Sequence, residues 1–265
     1  MTTLQEQFGF TLQPFPRVPP DDALLRHKGL EEVLAKLAFA LERDTIALLV
    51  GESGCGKSTA LSLFAKSLEA SAYQLVPLSL TTLGPFSLIA NMALAMGLKP
   101  KRFKGDTAAA LLAHLRSLPR RTIVILDEAH LLPDASLEDL RLLTADEFDR
   151  RSPFAMILCG QPVLRDRLTD PRHYALSQRI GVRIRLRPLT EAEVGLFITR
   201  HLKAAGTTRA VFEPQAAAAI FQHTRGIPRL VQNLALGSAL AAMAAGSASV
   251  DAVAVQQAVV DLEDL

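Results

Sequence analysis

Cysteine is scarce in this sequence, which has only Cys55 and Cys159 among its 265 residues. Two cysteines so far apart offer neither a disulfide framework nor the paired spacing of a zinc site, and this favours a reducing compartment. The N-terminus, MTTLQEQFGF, also lacks the basic and apolar regions of a secretory signal peptide. The bacterial cytoplasm is therefore the predicted location.

An excess of charge of one sign is missing as well. The 29 lysines and arginines nearly balance the 27 aspartates and glutamates, so the net charge of +2 indicates no partner and any basic surface must be local. The segment nearest to a membrane span, residues 230–250, carries no charge but is rich in alanine and interrupted by polar residues. It predicts a buried helix of a soluble protein, with no membrane partner.

Short apolar runs alternate with helical patterns over the first two thirds of the chain. This alternation predicts an α/β fold with a parallel five-stranded sheet covered by helices on both faces. Arg183 and Arg185 alternate with apolar residues, so the last strand is expected at an edge of the sheet. The predicted strands are IALLV at 46–50, YQLVPLSL at 73–80, TIVILD at 122–127, FAMILC at 154–159 and VRIRL at 182–186.

Two changes of pattern divide the chain. Residues 11–22, TLQPFPRVPPDD, contain four prolines and cannot form regular helix or a central strand, so residues 1–28 are predicted to be an extended arm. A helical face begins at Gly29, and after residue 188 the apolar strands stop. The helices predicted beyond that point lie at about 191–204, 213–224, 228–245 and 250–261.

The segment GESGCGKST is the strongest motif. It fits the pattern G-x-x-x-x-G-K-[ST] at every position, between a predicted strand and a predicted helix. The backbone N–H groups of such a loop converge on phosphates, Lys57 is expected to bridge the terminal phosphates, and the Ser58 hydroxyl is expected to bind Mg²⁺. ATP and Mg²⁺ are thus the predicted cofactors, and the predicted ATP-binding residues are Gly51, Glu52, Ser53, Gly54, Cys55, Gly56, Lys57, Ser58 and Thr59.

An acidic pair follows the apolar run TIVIL. Asp127 is placed to hold the Mg²⁺ shell through a water molecule, and Glu128 is placed to act as general base for the attacking water. An acidic pair can also merely begin a helix, but its combination with the phosphate loop favours the catalytic role. The letters DEAH suggest a helicase, yet helicases of that kind need two sheet domains and only one set of strands is present. His130 is therefore interpreted as a structural residue in the first turn of a helix.

The sequence resembles the AAA+ ATPases, in particular the branch that contains the secretion-associated ExeA proteins and the transposition regulators of the TniB and TnsC kind. The resemblance covers nearly the whole chain. It implies an AAA+ P-loop NTPase with an α/β nucleotide-binding domain at 29–188 and a small all-helical lid domain at 189–265. The segments that carry it are FGF and PF near the start, GESGCGKST, VILDEAH, LCGQPVLRDRL, LSQRI and GIPRLVQNLA.

The resemblance also implies roles for individual residues. Gln161 is expected to be the polar sensor that orients the water, although a glutamine in GQP can also be a turn residue. Arg179 is expected to be the arginine finger that reaches the ATP of a neighbouring subunit, the alternative being an edge arginine paired with a surface acid. Arg229 is expected to be the second sensor, with Arg225 as its rival. Residues 25–27 resemble the part that packs on adenine.

The best local basic feature is KPKRFK at 99–104. In a ring or helical filament of identical subunits, its repeated charges would form a track for the phosphates of duplex DNA, independent of base sequence. A run of charges can equally be a solvated face. The four cations of this segment are Lys99, Lys101, Arg102 and Lys104.

Two functional classes follow from the resemblance. The first is an ATP-dependent DNA-binding regulator of transposition that forms oligomers on target DNA and recruits or stimulates a transposase, together with a target-selection protein. The second is an ExeA-like ATPase for the assembly of a secretion complex, and a replication-type loader is a further alternative. The secretion proteins continue into a membrane span and a periplasmic module, whereas this sequence ends at Leu265 with the lid, so the first class is favoured.

Overall fold

The computed structural model describes residues 3–43, 45–79, 85–145 and 152–263. Its contacts divide the chain into two compact units. The sheet unit contains residues 29–53 and 57–186, and the helical unit contains residues 1–28, 54–56 and 187–265. The change of unit thus falls after Leu186, where the sequence pattern places it after residue 188, and the N-terminal segment is grouped with the C-terminal helices.

A parallel sheet of five strands forms the centre of the sheet unit, as predicted. The strands lie in the order β2-β3-β4-β1-β5. Leu80, which the sequence pattern included in the second strand, lies outside the described residues. The strands are β1 Ile46–Val50, β2 Tyr73–Ser79, β3 Arg121–Asp127, β4 Ala155–Gly160 and β5 Ile180–Arg185.

Burial explains the composition of the strands. Every residue of β1 and β4 is buried, as expected for central strands covered on both faces. In β5, by contrast, buried and exposed residues alternate, and Arg183 and Arg185 are among the exposed ones. Because β5 is the last strand in the order, the prediction of an edge strand is confirmed.

Helices connect the strands and cover the sheet. Val124 and Leu126 of β3 belong to one apolar cluster with residues of several of these helices, including Met92 and Leu140. Burying such side chains stabilises the unit by about 1.5–3 kcal/mol each. The helices are α2 Lys28–Glu42, α3 Lys57–Ser67, α4 Pro85–Ala95, α5 Lys104–Ser117, α6 Asp134–Leu143, α7 Pro162–Arg167 and α8 Tyr174–Arg179.

Four longer helices form most of the helical unit, each within two residues of its predicted limits. Helix α9 begins with a capping box, in which Glu193 N donates to Thr190 Oγ1 (3.3 Å) and Thr190 N donates to Glu193 Oε2 (2.8 Å). Among the described residues, no helix combines the length and apolar character that a membrane span needs. These helices are α9 Glu191–Ala204, α10 Pro214–Thr224, α11 Pro228–Ala244 and α12 Ala252–Glu263.

The N-terminal segment is not an extended arm throughout. Its residues Leu4–Phe8 form helix α1, which is capped by Thr3. The proline-rich stretch 11–22 contains no regular helix or strand, as predicted. Three aromatic side chains of the segment are nevertheless buried in the core of the helical unit: Phe8, Phe10 and Phe15. Proline forbids regular backbone hydrogen bonding but does not prevent apolar side chains from gaining free energy by burial.

Candidate nucleotide site

A glycine-rich turn connects strand β1 to helix α3. Gly54 and Gly56 have φ angles of +79° and +99°. Glycine adopts such angles without the steric cost that a Cβ brings. A turn of this kind leaves backbone N–H groups free to converge on an anion, next to the positive end of the α3 dipole. The backbone of the predicted ATP-binding segment is therefore suited to phosphate.

Lys57 begins helix α3 and is 6% exposed. Its ammonium donates hydrogen bonds to the backbone carbonyls of Gly51 (2.9 Å) and Glu52 (3.0 Å). A buried charge needs such partners, and both come from the turn itself. The cation is thus held at the loop. Ser58, the next residue of the helix, is exposed, and Thr59 is half-buried.

The acidic pair lies, like the phosphate turn, at the carboxyl ends of the strands. Asp127 is the last residue of β3, and its Oδ1 accepts a hydrogen bond from Glu128 N (2.9 Å). Glu128 has a φ angle of +53°, which is uncommon for a residue with a side chain. The phosphate turn is tied to these strand ends, because Gly51 N donates to Gly160 O at the end of β4 (3.2 Å).

Cys159, one residue before the end of β4, shows that the site charges are close together. Burial, followed by the charge of Asp127 and a hydrogen bond with it, raises the pKa of the Cys159 thiol well above its ordinary value. The nearby Glu128 also raises this pKa, whereas Lys57 lowers it. A raised pKa keeps the thiol protonated at neutral pH, which disfavours a role of Cys159 as a nucleophile or thiolate ligand.

Gln161 and His130 also lie at the carboxyl ends of the strands. No pattern in the sequence indicated that His130 is close to the predicted catalytic residues. Gln161 directly follows β4 and is the N-cap residue of α7. His130 lies in a 3-10 turn at Ala129–Leu131, not in the first turn of an α-helix. Its Nδ1 is 3.3 Å from Glu128 Oε2 and 3.5 Å from Gln161 N. The ring therefore contacts both predicted catalytic residues, and only the tertiary structure reveals this.

Arg179 lies near the amino ends of the strands, whereas the phosphate turn lies at their carboxyl ends. It is the last residue of α8 and precedes Ile180, which pairs with Ile46 at the beginning of β1. The turn follows Val50 at the other end of β1, about 13 Å further along the strand. The Arg179 guanidinium donates to Thr144 O (3.3 Å).

Thr45 fixes the backbone around Arg179. Its Oγ1 donates to Arg179 O (3.1 Å) and accepts from Gly181 N (2.9 Å). A Cβ at position 181 would collide with the Thr45 side chain, so glycine is needed there. These hydrogen bonds thus fix the backbone position from which the Arg179 side chain extends.

Arg229 and Arg225, the two candidates for the second sensor, are both exposed in the helical unit. Arg229 follows Pro228 in the first turn of α11, and its backbone N–H donates to Gly54 O (3.2 Å). A Cβ at position 54 would lie 2.8 Å from the Cβ of Arg229, so this approach also requires glycine. Arg225 is the C-cap of α10, with a φ angle of +51°.

Residues 25–27, predicted to pack on adenine, adjoin helix α9. His27 Nδ1 is 3.8 Å from Glu193 Oε1 in the first turn of that helix. The role of these residues in nucleotide binding stays a prediction.

The basic segment 99–104 is only partly available for a ligand. Lys104 Nζ lies 2.6 Å from Asp139 Oδ1, and the aspartate side chain is 8% exposed. Lys104 therefore compensates a buried carboxylate on α6. Lys99, Lys101 and Arg102 are exposed, and the Arg102 guanidinium lies 5.6 Å from the centroid of the exposed Phe103 ring.

The residues at the phosphate turn fit Mg²⁺ bound together with a nucleotide. Within the described ranges, no three His, Cys, Asp or Glu side chains cluster as a self-contained metal site. Mg²⁺ in nucleotide sites does not need such a cage, because it takes one or two protein oxygens, substrate phosphates and waters. The Ser58 hydroxyl and the Asp127 carboxylate provide ligands of this kind.

A comparison with known protein families finds a match within the sheet unit. Residues 40–168 match the family model described as AAA domain. These residues are thus similar to an AAA domain. The chain is also 32% identical over 256 residues to General secretion pathway protein A of Aeromonas hydrophila. That alignment covers 91% of this chain but 45% of the relative, so the chain spans less than half of the relative's length.

Solved structures extend the likeness over almost the whole chain. The ORC2 protein of Aeropyrum pernix in ADPNP-ADP complexes has a TM-score of 0.68 at 17% identity, over 95% of this chain and 72% of that one. The ORC1 protein of Aeropyrum pernix in complex with DNA has a TM-score of 0.64 at 21% identity, over 94% of this chain and 67% of that one. At these identities the likeness concerns the fold, and the predicted AAA+ P-loop fold is confirmed.

Proposed function

We propose that this chain binds and hydrolyses ATP with Mg²⁺. One observation carries the proposal: a buried lysine, an acidic pair and a glutamine lie together where β1, β3 and β4 end. The carboxyl edge of a parallel sheet is where α/β proteins bind their ligands. The AAA domain match and the ORC2 structure solved with ADPNP and ADP support a nucleotide as the ligand.

Each residue at this edge has a chemical task in the proposal. Lys57 neutralises charge on the terminal phosphates, and the turn N–H groups orient them. Glu128 accepts the proton of the attacking water, and Gln161 orients that water. Mg²⁺, held through Ser58 and Asp127, supplies charge neutralisation on the phosphate oxygens.

We further propose that neighbouring subunits complete each other's sites. Arg179 is separated from the phosphate turn of its own chain by the length of β1, about 13 Å, which is far beyond hydrogen-bond distance. It precedes β5, which is an edge strand of the sheet. A guanidinium supplied by a neighbour stabilises charge that develops in the transition state, so hydrolysis would require a ring or filament.

Substitution of the proposed base tests the hydrolysis. Glu128→Gln is expected to bind ATP as the wild type does but to lose hydrolysis by about 100-fold or more, because the amide cannot accept the proton. Phosphate release and binding of a fluorescent ATP analogue measure the two steps. Glu42→Gln, at the exposed end of α2, is the matched control. Wild-type hydrolysis by Glu128→Gln would refute the assignment.

Mixed oligomers test the arginine. Arg179→Ala should bind nucleotide but not turn it over, and mixing it with Glu128→Gln should restore part of the activity, since each variant then supplies what the other lacks. Arg43→Ala, at the exposed residue that follows α2, is the control. Activity that stays absent at every mixing ratio would argue against an arginine that works between subunits.

Two partner classes are supported by separate observations. The exposed cations Lys99, Lys101 and Arg102, together with the ORC1 structure in complex with DNA, support a DNA-bound regulator, which the sequence resemblance assigns to transposition with a transposase as partner. The 32% identity with General secretion pathway protein A supports an ATPase of secretion equally well.

Duplex DNA distinguishes the two classes. Electron microscopy with a non-hydrolysable ATP analogue, with and without duplex DNA, should show DNA-dependent assembly for the regulator. If assembly and ATP hydrolysis are the same with and without duplex DNA at every salt concentration, the secretion role is favoured.

A further inference from the structure

The ring of His130 occupies a special place between two residues of the proposed hydrolytic site. Its side chain is 10% exposed, whereas that of Glu128 is 44% exposed. The ring is therefore a largely enclosed support beside a carboxylate that is more exposed to solvent. Its Nδ1 is the atom that approaches both neighbours, at 3.3 Å from Glu128 Oε2 and 3.5 Å from Gln161 N.

The surrounding residues hold this ring and its backbone in place. Gly160, at the end of β4, leaves the space for it, because a Cβ there would lie 3.2 Å from His130 N and 3.3 Å from His130 Nδ1. Arg167 holds the turn from the other side. Its guanidinium donates to His130 O (2.7 Å), Leu132 O (2.8 Å) and Asp134 Oδ1 (2.6 Å). Such charge-assisted bonds fix the 3-10 turn to α7.

The chemistry of an imidazole nitrogen makes the two contacts exclusive. Nδ1 carries either a hydrogen or a lone pair in the ring plane. With a hydrogen it can donate only toward the Glu128 carboxylate, 3.3 Å away, and with a lone pair it accepts the N–H of Gln161. Either bond fixes the ring relative to one catalytic residue while the other residue stays in contact with it. The position of the base and the position of the sensor are thus coupled through one side chain.

We propose that His130 is a positioning residue that holds Glu128 and the beginning of helix α7 in the arrangement needed for hydrolysis. This inference rests on the proposed ATPase function. Misplacing a catalytic group by about 1 Å can cost about 100-fold in rate, so a support of this kind controls kcat more than nucleotide binding.

Three variants test the proposal in the full chain with Mg²⁺ and ATP. His130→Ala should lower kcat by about 10-fold or more and leave KM and nucleotide affinity within about twofold. His130→Asn, whose amide places a hydrogen-bonding atom near the position of Nδ1, should restore kcat to within about threefold. His114→Ala on helix α5 is the control and should behave as the wild type.

Gly160→Ala provides a second route that keeps the imidazole. The added Cβ would lie 3.1 Å from Leu164 Cδ2, as well as close to His130 N and Nδ1, so the ring, its turn and Leu164 must each shift by a few tenths of an ångström. We expect kcat to fall several-fold with unchanged binding. This variant decides the question if His130→Ala fails to fold, which circular dichroism would show.

The outcomes separate this inference from the function on which it rests. A wild-type protein that hydrolyses no more ATP than Glu128→Gln would refute the ATPase proposal itself. An active wild type together with unchanged or increased kcat in His130→Ala, no recovery in His130→Asn, or unchanged kcat in Gly160→Ala would overturn the role of His130 alone.

Discussion

Both units of this protein bury some polar side chains, but the residues of the candidate site differ in placement from the buried histidine of the helical unit. In the sheet unit, the residues of the candidate site directly follow buried strands, so rigid apolar segments present Asp127 and Gln161 at their ends. In the helical unit, the buried imidazole of His201 lies near the rings of Phe15 and Phe197, and its Nδ1 has no hydrogen-bond partner among the residues that the structure describes. A polar group at the end of a strand can meet a ligand, whereas a polar atom that is buried without a hydrogen-bond partner, in either unit, carries a desolvation cost.

The units also differ in how far apart along the chain the residues of each core lie. The core of the sheet unit comes from one stretch of strands and helices. The core of the helical unit joins Phe8, Phe10 and Phe15 to helices that lie about 180 residues further along the chain. The N-terminal segment is therefore part of the structure of that unit, and the comparison can be tested by weakening each core separately.

The largest expected effect comes from deleting one buried ring in each unit. Phe8→Ala and Phe64→Ala should each lower the free energy of unfolding by about 3–5 kcal/mol, because both rings are at most 2% exposed and leave cavities. Native-state hydrogen exchange should show loss of protection in α9–α12 for the first variant and in the strands for the second.

Leu12→Ala, at a residue that is 60% exposed, serves as the control and should change stability by less than about 0.5 kcal/mol. If Phe8→Ala loosened only the first ten residues, the N-terminal segment would not be part of the helical core.

The next effect is a pH dependence confined to the helical unit. Burial lowers the pKa of His201 from 6.5 to about 4. The unfolded chain therefore binds a proton that the folded chain does not between these values, so this group destabilises the protein as the pH falls from about 6.5 to 4. The loss reaches about 3 kcal/mol at the lower limit.

Urea unfolding at several pH values measures this dependence. His201→Phe, which keeps an aromatic ring between Phe15 and Phe197 but cannot be protonated, should reduce it, whereas the exposed His223→Gln should not. Equal pH dependence in His201→Phe and the wild type would refute the assignment.

Within the sheet unit, the sharpest test is the lysine of the phosphate turn. Lys57→Ala should weaken ATP binding by about 100-fold, because it removes a charge-assisted contact to phosphate that sits in a buried position. Isothermal calorimetry with a non-hydrolysable analogue measures this. Lys66→Ala, near the end of the same helix, should bind normally. Comparable affinities for the two variants would place the phosphates elsewhere.

The smallest effect concerns the basic segment 99–104. If it binds duplex DNA, Lys101→Ala and Arg102→Ala should each reduce the slope of log K against log salt by about 1. Lys104→Ala should reduce it by less, because that ammonium is paired with Asp139. Fluorescence anisotropy with labelled duplexes at several salt concentrations would detect a Lys104 contribution as large as the others, which would contradict this difference.

The sequence was a good guide wherever a local pattern reflects a local cause. Wholly apolar runs predicted the central strands, and the alternation around Arg183 predicted the edge strand, because the environment of a strand acts on each residue in turn. The motif at 51–59 likewise predicted the turn between β1 and α3, since glycines at fixed spacing supply the positive φ angles that the backbone requires.

Tertiary structure alone decided the contacts between residues that are distant in the chain. The burial of Phe8 and the pairing of Lys104 with Asp139 depend on partners that no local pattern specifies. The contact of His130 with Gln161 requires β3 and β4 to be neighbours, which the order of strands in the chain does not determine. The sequence by itself determined the five strands and the four longer helices that follow residue 188, and it predicted the polar residues that follow the strands. The packing of the elements decided which side chains support those residues, because burial and hydrogen bonding act between surfaces that meet only in the folded chain.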